Sequence, residues 1–77
     1  MLFLMIYDDT PKKPALLKIQ EAIAAYERRF GIAPNVLWVR EAVAGTGMRV
    51  EAKTTVQVNN YWLTFDPAAP RLPHSEV

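Results

Sequence analysis

Asp8 and Asp9 are the residues of this 77-residue chain whose type and spacing come nearest to catalytic chemistry. Two adjacent carboxylates behind an apolar segment could hold Mg²⁺ for phosphoryl transfer or hydrolysis, outside the carboxyl end of a strand where α/β proteins place ligands. Such a site draws a third acid from elsewhere, and no companion stands at a telling spacing. The plainer reading is a solvated strand exit whose acids offset Lys12 and Lys13. Those lysines, near a helix start, could instead receive a phosphate, although one wet amphipathic face is the simpler account of them.

A second constellation joins Trp38 and Trp62 to Arg40, Arg49 and Lys53. An aromatic and basic sheet face of this kind can stack nucleobases. Glu51 lies in the same row as Arg49 and Lys53, and no ribonucleoprotein motif is present, so protein contact or packing is the stronger reading. The one histidine is His74, and there is no cysteine. Thiol nucleophiles and disulfides are therefore excluded, and with the one histidine in the tail neither a histidine-based triad nor a paired-histidine metal site is expected. Gly45-Thr46-Gly47 lacks the lysine and the strand–loop–helix setting of a phosphate-binding loop. The expectation is a non-enzymatic chain with no cofactor and no bound metal.

The elements that must position these residues follow from periodicity. Leu2 to Tyr7 is continuously apolar, the mark of a strand covered on both sides. Leu16, Ile19, Ile23, Tyr26 and Phe30 recur at steps of three and four, which predicts a helix with Lys18, Glu21, Arg28 and Arg29 on its wet side. Its start is either Thr10 as cap or Pro14. Its end is Gly31, in the position of a left-handed cap, with Pro34 preventing resumption.

Asn35 to Arg40 reads as a second strand. From Met48 the period becomes two and runs through Val56 and Val58 to Asn59-Asn60, a pair suited to a hairpin turn. That turn predicts Val58 opposite Tyr61 and Val56 opposite Leu63. The core face is then Val56, Val58, Tyr61, Leu63 and Phe65, with Thr55, Gln57, Trp62 and Thr64 on the wet face.

The sum is an α+β fold: a two-layer βαβββ domain over residues 1–65, with a mixed four-stranded sheet and one helix packed on one face. The first two strands are expected to be parallel across a right-handed crossover. Residues 66–77, with Pro67, Pro70 and Pro73, read as a proline-rich extended tail. Its Pro spacings and its Ser75-Glu76-Val77 end have the form read by polyproline and PDZ domains, but plain tail is the simpler account.

Composition narrows the functions. Nine basic against eight acidic side chains leave a net charge of +1, so no bulk field draws the chain to nucleic acid or anionic lipid. Its longest apolar run, Met1 to Tyr7, is far short of the ~20 residues of a membrane span. A cytoplasmic protein with no membrane partner is expected.

Tyr7-Asp8, behind a first strand and ahead of a helix, loosely resembles small CRISPR-associated nucleases of ferredoxin-like fold. The second helix of that fold has no counterpart in this pattern, so a Mg²⁺-dependent hydrolase at Asp8 stays a minor alternative. Tyr26-Glu-Arg-Arg-Phe30-Gly31, then Pro34-Asn-Val36 and an Asn-Tyr-Trp strand, resembles a family of short bacterial proteins with no assigned activity. That resemblance covers roughly residues 16–63 and implies no catalytic residues.

One helix shields one side of a sheet, yet Leu2, Leu4 and Ile6 stand opposite Phe3, Met5 and Tyr7, and Leu37 and Val39 opposite Val36 and Trp38. The unshielded set would form an apolar patch larger than soluble monomers usually show. The expectation is a protein-interaction module, a homodimer or a subunit with a protein partner, using Phe3, Met5, Tyr7, Trp38 and Trp62. The alternative is a nucleic-acid-binding module using Trp38, Arg49, Lys53 and Trp62.

Overall fold

The computed structural model describes residues 3–68. Leu2, Pro70, Pro73, His74 and the Ser75–Val77 end, each singled out in the sequence, lie outside the described residues. The order is β1 (Leu4–Tyr7), α1 (Ala15–Phe30), β2 (Val36–Val39), β3 (Arg49–Ala52) and β4 (Asn60–Thr64). This is an α+β fold with one helix and a four-stranded mixed sheet among the described residues.

Local chemistry sets the ends of α1. Pro14 occupies the N-cap, and Lys18 N donates to its carbonyl in the first helical turn. Thr10 does not cap the helix but folds back onto Asp8. At the other end Gly31 takes a φ of 71° and its N–H donates to the Glu27 carbonyl, a left-handed stop that costs glycine little.

Strand pairing departs from the expected hairpin. The strand order is β1-β4-β2-β3, with β4 antiparallel to both β1 and β2, and β3 parallel to β2. The first two strands do run in the same direction, but β4 separates them. No β3–β4 hairpin forms. After Ala52 the chain turns, Val56 N donating to the Lys53 carbonyl, and a second turn follows in which Asn60 N donates to Gln57 O. Asn59 has the expected positive φ, at 67°, yet it turns the chain into β4 instead of closing a hairpin.

The physical reason lies in composition. Arg49 and Glu51 suit an edge strand, whereas the apolar Tyr61-Trp62-Leu63 segment gains most from neighbours on both sides. Val56 is still fully buried, but from a loop, and Val58 is 63% exposed instead of in the core.

Register sorts the side chains. Leu4 pairs with Leu63, Leu63 with Leu37, and Leu37 with Val50, so these four share a face, together with Ile6, Tyr61 and Val39. The core joins Leu37, Val39, Tyr61 and Leu63 to Ile19, Ala22 and Tyr26 of α1 and to Met48, with Leu4, Ile6 and Val50 packed against it. Two helix positions depart from the amphipathic reading. Lys18 is only 7% exposed, its stem lying along the core edge and its ammonium 3.3 Å from Asn59 Oδ1. Phe30, at the last turn, is exposed, with its ring against Tyr26 at 4.6 Å.

Candidate functional site

The opposite face of the sheet carries the remaining large side chains. Met5 pairs with Trp62, Trp62 with Trp38, and Trp38 with Glu51, so one row crosses all four strands. The next row holds Thr64, Val36 and Arg49, and alternation puts Phe3 at its β1 end. Tyr7 stands opposite Asn60 in a third row. The five residues expected to contact a partner, Phe3, Met5, Tyr7, Trp38 and Trp62, are thus on one face.

Three of them form a cluster. Trp38 and Trp62 stack with ring centres 6.0 Å apart and planes 22° from parallel. Phe3 lies 4.6 Å from Trp38 and 6.2 Å from Trp62. Its ring reaches a strand two places away, so it crosses above β4. Thr64 beneath is only 1% exposed, which corrects its expected place on a wet face. Each aromatic pair contributes ~0.5–1.5 kcal/mol beyond its buried area. The cluster acts as a partial second layer made of side chains, and the bare patch is narrower than the sequence arithmetic implied. What stays open is its β1 margin, where Met5 is 60% and Tyr7 62% exposed.

The other margin is charged and self-neutralised. Arg49 Nε lies 3.3 Å and Lys53 Nζ 3.1 Å from the two Glu51 oxygens. Lys53 also sits 4.7 Å from the centre of the Trp38 ring, a cation–π contact. Trp38 Nε1 is buried with no hydrogen-bond acceptor. Pattern reading could find the five residues by alternation, but not their stacking, which depends on β4 entering between β1 and β2.

Asp8, the candidate metal ligand, is engaged from within. Thr10 donates to Oδ1 from both its N–H, at 3.0 Å, and its hydroxyl, and Lys13 Nζ donates to Oδ2 at 2.8 Å. These bonds hold the Asp8 carboxyl well below the usual carboxylate range, the Lys13 bond contributing most. Lys13 also pairs with Glu21, and both partners raise its pKa. Asp9 instead accepts from the Tyr7 hydroxyl at 3.0 Å, which raises the Tyr7 pKa. Among the described residues no three acids or histidines converge on one point. Lys13 takes the site a cation would need.

A further feature escaped the sequence reading. A cavity of about 320 Å³ opens at the end of the sheet, lined by Ala15, Val39, Arg40, Val43, Asn59 and Tyr61, among others. Burial and then the charge of Asp8 push the Tyr61 hydroxyl pKa up. Arg40 is turned to the Thr54 carbonyl at 3.2 Å. The signal was Asn59, whose left-handed turn forms one wall.

Among the described residues no helix is long and apolar enough to cross a membrane. No family model matches this sequence, and no curated protein or solved structure is significantly similar to it, so the site is read from its own geometry.

Proposed function

We propose that this chain is a small, non-enzymatic protein-interaction module of the bacterial cytoplasm, which docks a protein partner on its aromatic sheet face. The observation that carries the reading is the open margin of that face. Met5 and Tyr7 are largely exposed side by side with a half-buried cluster of three aromatic rings. Large apolar and aromatic side chains beside a packed cluster are what interface centres are made of.

The same face is a poorer platform for nucleobases. The Trp38 ring already has Phe3 and Lys53 against it, and Glu51 shares the charge of Arg49 and Lys53. Single-stranded oligonucleotides at low salt are expected to leave tryptophan emission unchanged. Hydrolysis at Asp8 would first have to displace Lys13 and Thr10.

The test is photocrosslinking in the native cell. A benzophenone side chain at position 7 should yield protein adducts, whereas one at Leu17, exposed on α1, should not. Equal, background-level adducts at both positions sink the reading.

A further inference from the structure

We propose that the partner is a second copy of this chain, joined edge to edge through β1 into one continuous eight-stranded sheet. The inference rests on the association proposed above and places the contact at the β1 margin of the aromatic face, where Met5 and Tyr7 are exposed.

The backbone hydrogen bonds of β1 all point to one side. Asp8 N donates to the Asn59 carbonyl, in register with the β1–β4 ladder. In an antiparallel ladder alternate residues face the partner strand, so Leu4 and Ile6 also aim their N–H and C=O groups at β4. The N–H and C=O groups of Met5 and Tyr7, and by alternation of Phe3, therefore point outward from the sheet edge. Because β1 ends the strand order, no strand of this chain meets them among the described residues. Natural sheets protect such edges with charge, proline or bulges. The β3 edge has that protection in Arg49 and Glu51, while β1 reads Leu-Met-Ile-Tyr.

The β1 sequence is complementary to itself. A two-fold axis at Met5 would pair Met5 with the partner's Met5, Phe3 with the partner's Tyr7, and Leu4 with the partner's Ile6. The cross-strand pairs are aromatic with aromatic on one face and aliphatic with aliphatic on the other, a favourable set. An antiparallel edge pairing has its axis perpendicular to the sheet, so both cores lie on one side and both aromatic faces on the other. Met5 and Tyr7, the most exposed members of the face, come to lie at its centre.

Two substitutions test this on the full chain. Met5→Pro deletes an outward-facing N–H and leaves the β1–β4 ladder intact, since proline is accepted on an edge. The wild type is expected to scatter light as a dimer at high micromolar concentration, and Met5→Pro as a monomer with unchanged circular dichroism. Met5→Cys supplies the only thiol, and a hydrogen-bonded pair with Cα atoms ~5.5 Å apart is within disulfide reach. Oxidation should then give a covalent dimer, with Leu17→Cys as the uncoupled control; if Met5→Pro fails to fold, this crosslink decides.

A monomeric wild type, a Met5→Pro dimer, or crosslinking at position 5 no faster than at 17 overturns the inference. A monomer in isolation that still forms adducts at position 7 with a different protein in the cell overturns it too, and leaves the wider interaction reading standing.

Discussion

Both faces of this sheet carry large apolar side chains, and the faces differ in what lies over them. One face places Leu37, Val39, Tyr61 and Leu63 in a common core with Ile19, Ala22 and Tyr26 of α1. The other has no element above it among the described residues, and its own rings lie sideways over the strands. Hydrophobicity alone therefore does not mark the core. A face with rings large enough to fold across it can dry its own centre, as Phe3 helps to do for Thr64, and leave only a margin open. That margin, at Met5 and Tyr7, adjoins the unprotected β1 edge.

The contrast is sharpest at β4, where neighbouring residues face opposite ways. Leu63 is fully buried in the core, so Leu63→Ala is expected to cost about 2–5 kcal/mol, enough to unfold much of a domain this small. Trp62→Ala removes more atoms from the half-buried face and should cost about 1.5–2.5 kcal/mol, half of the ~3–5 kcal/mol of a fully buried tryptophan. Urea unfolding at a concentration where the chain is monomeric measures both. A larger loss at Trp62 than at Leu63 would break the comparison and make the aromatic side the main core.

These two residues also show how far the sequence could be read. Period-two alternation in Tyr61 to Phe65 separates the Leu63 side from the Trp62 side correctly, because side-chain direction in a strand is a local property. The helix end at Phe30-Gly31 and the positive φ of Asn59 are local too, and the sequence shows both. Strand pairing is not local. Asn59-Asn60 suggests a hairpin, but the partners of β4 are β1, at the far end of the chain, and β2. Lys18 fails for a related reason: it borders the apolar stripe, and only the fold brings Asn59 over it. The five residues of the candidate site were legible by alternation, whereas the stacking that half-closes it was not.

Between the two faces, at the exit of β1, the polar knot of Asp8 supplies a contrast in pH dependence. The folded chain lowers the Asp8 pKa below its ordinary 3.8, so the unfolded chain binds more protons as the pH falls past that value. The stabilisation is complete above the unfolded pKa and is lost progressively below about pH 4. Asp8→Asn should flatten this acid limb of a stability–pH curve, and addition of Mg²⁺ should leave the wild-type curve unmoved. A Mg²⁺-dependent rise in stability that disappears in Asp8→Asn would return the carboxylate to metal chemistry.

The smallest effect is expected at Trp38, and there the sign carries the information. Its indole N–H is buried without an acceptor, and an unsatisfied group of this kind costs ~1–3 kcal/mol. Trp38→Phe removes that N–H while keeping an aromatic ring between Phe3 and Trp62. Against this gain stand a smaller buried area and a weaker contact with Lys53, worth about 0.5–1 kcal/mol when exposed. The two contributions nearly cancel, so urea unfolding of the monomer should place Trp38→Phe within about 1 kcal/mol of the wild type. On the core side the truncation Leu37→Ala, at a fully buried position, has no such compensation and belongs with Leu63→Ala. If Trp38→Phe proves as costly as that pair, the N–H is not an orphan in solution. The ring cluster must then open to give it an acceptor, and the aromatic face would be a mobile cover instead of a packed layer.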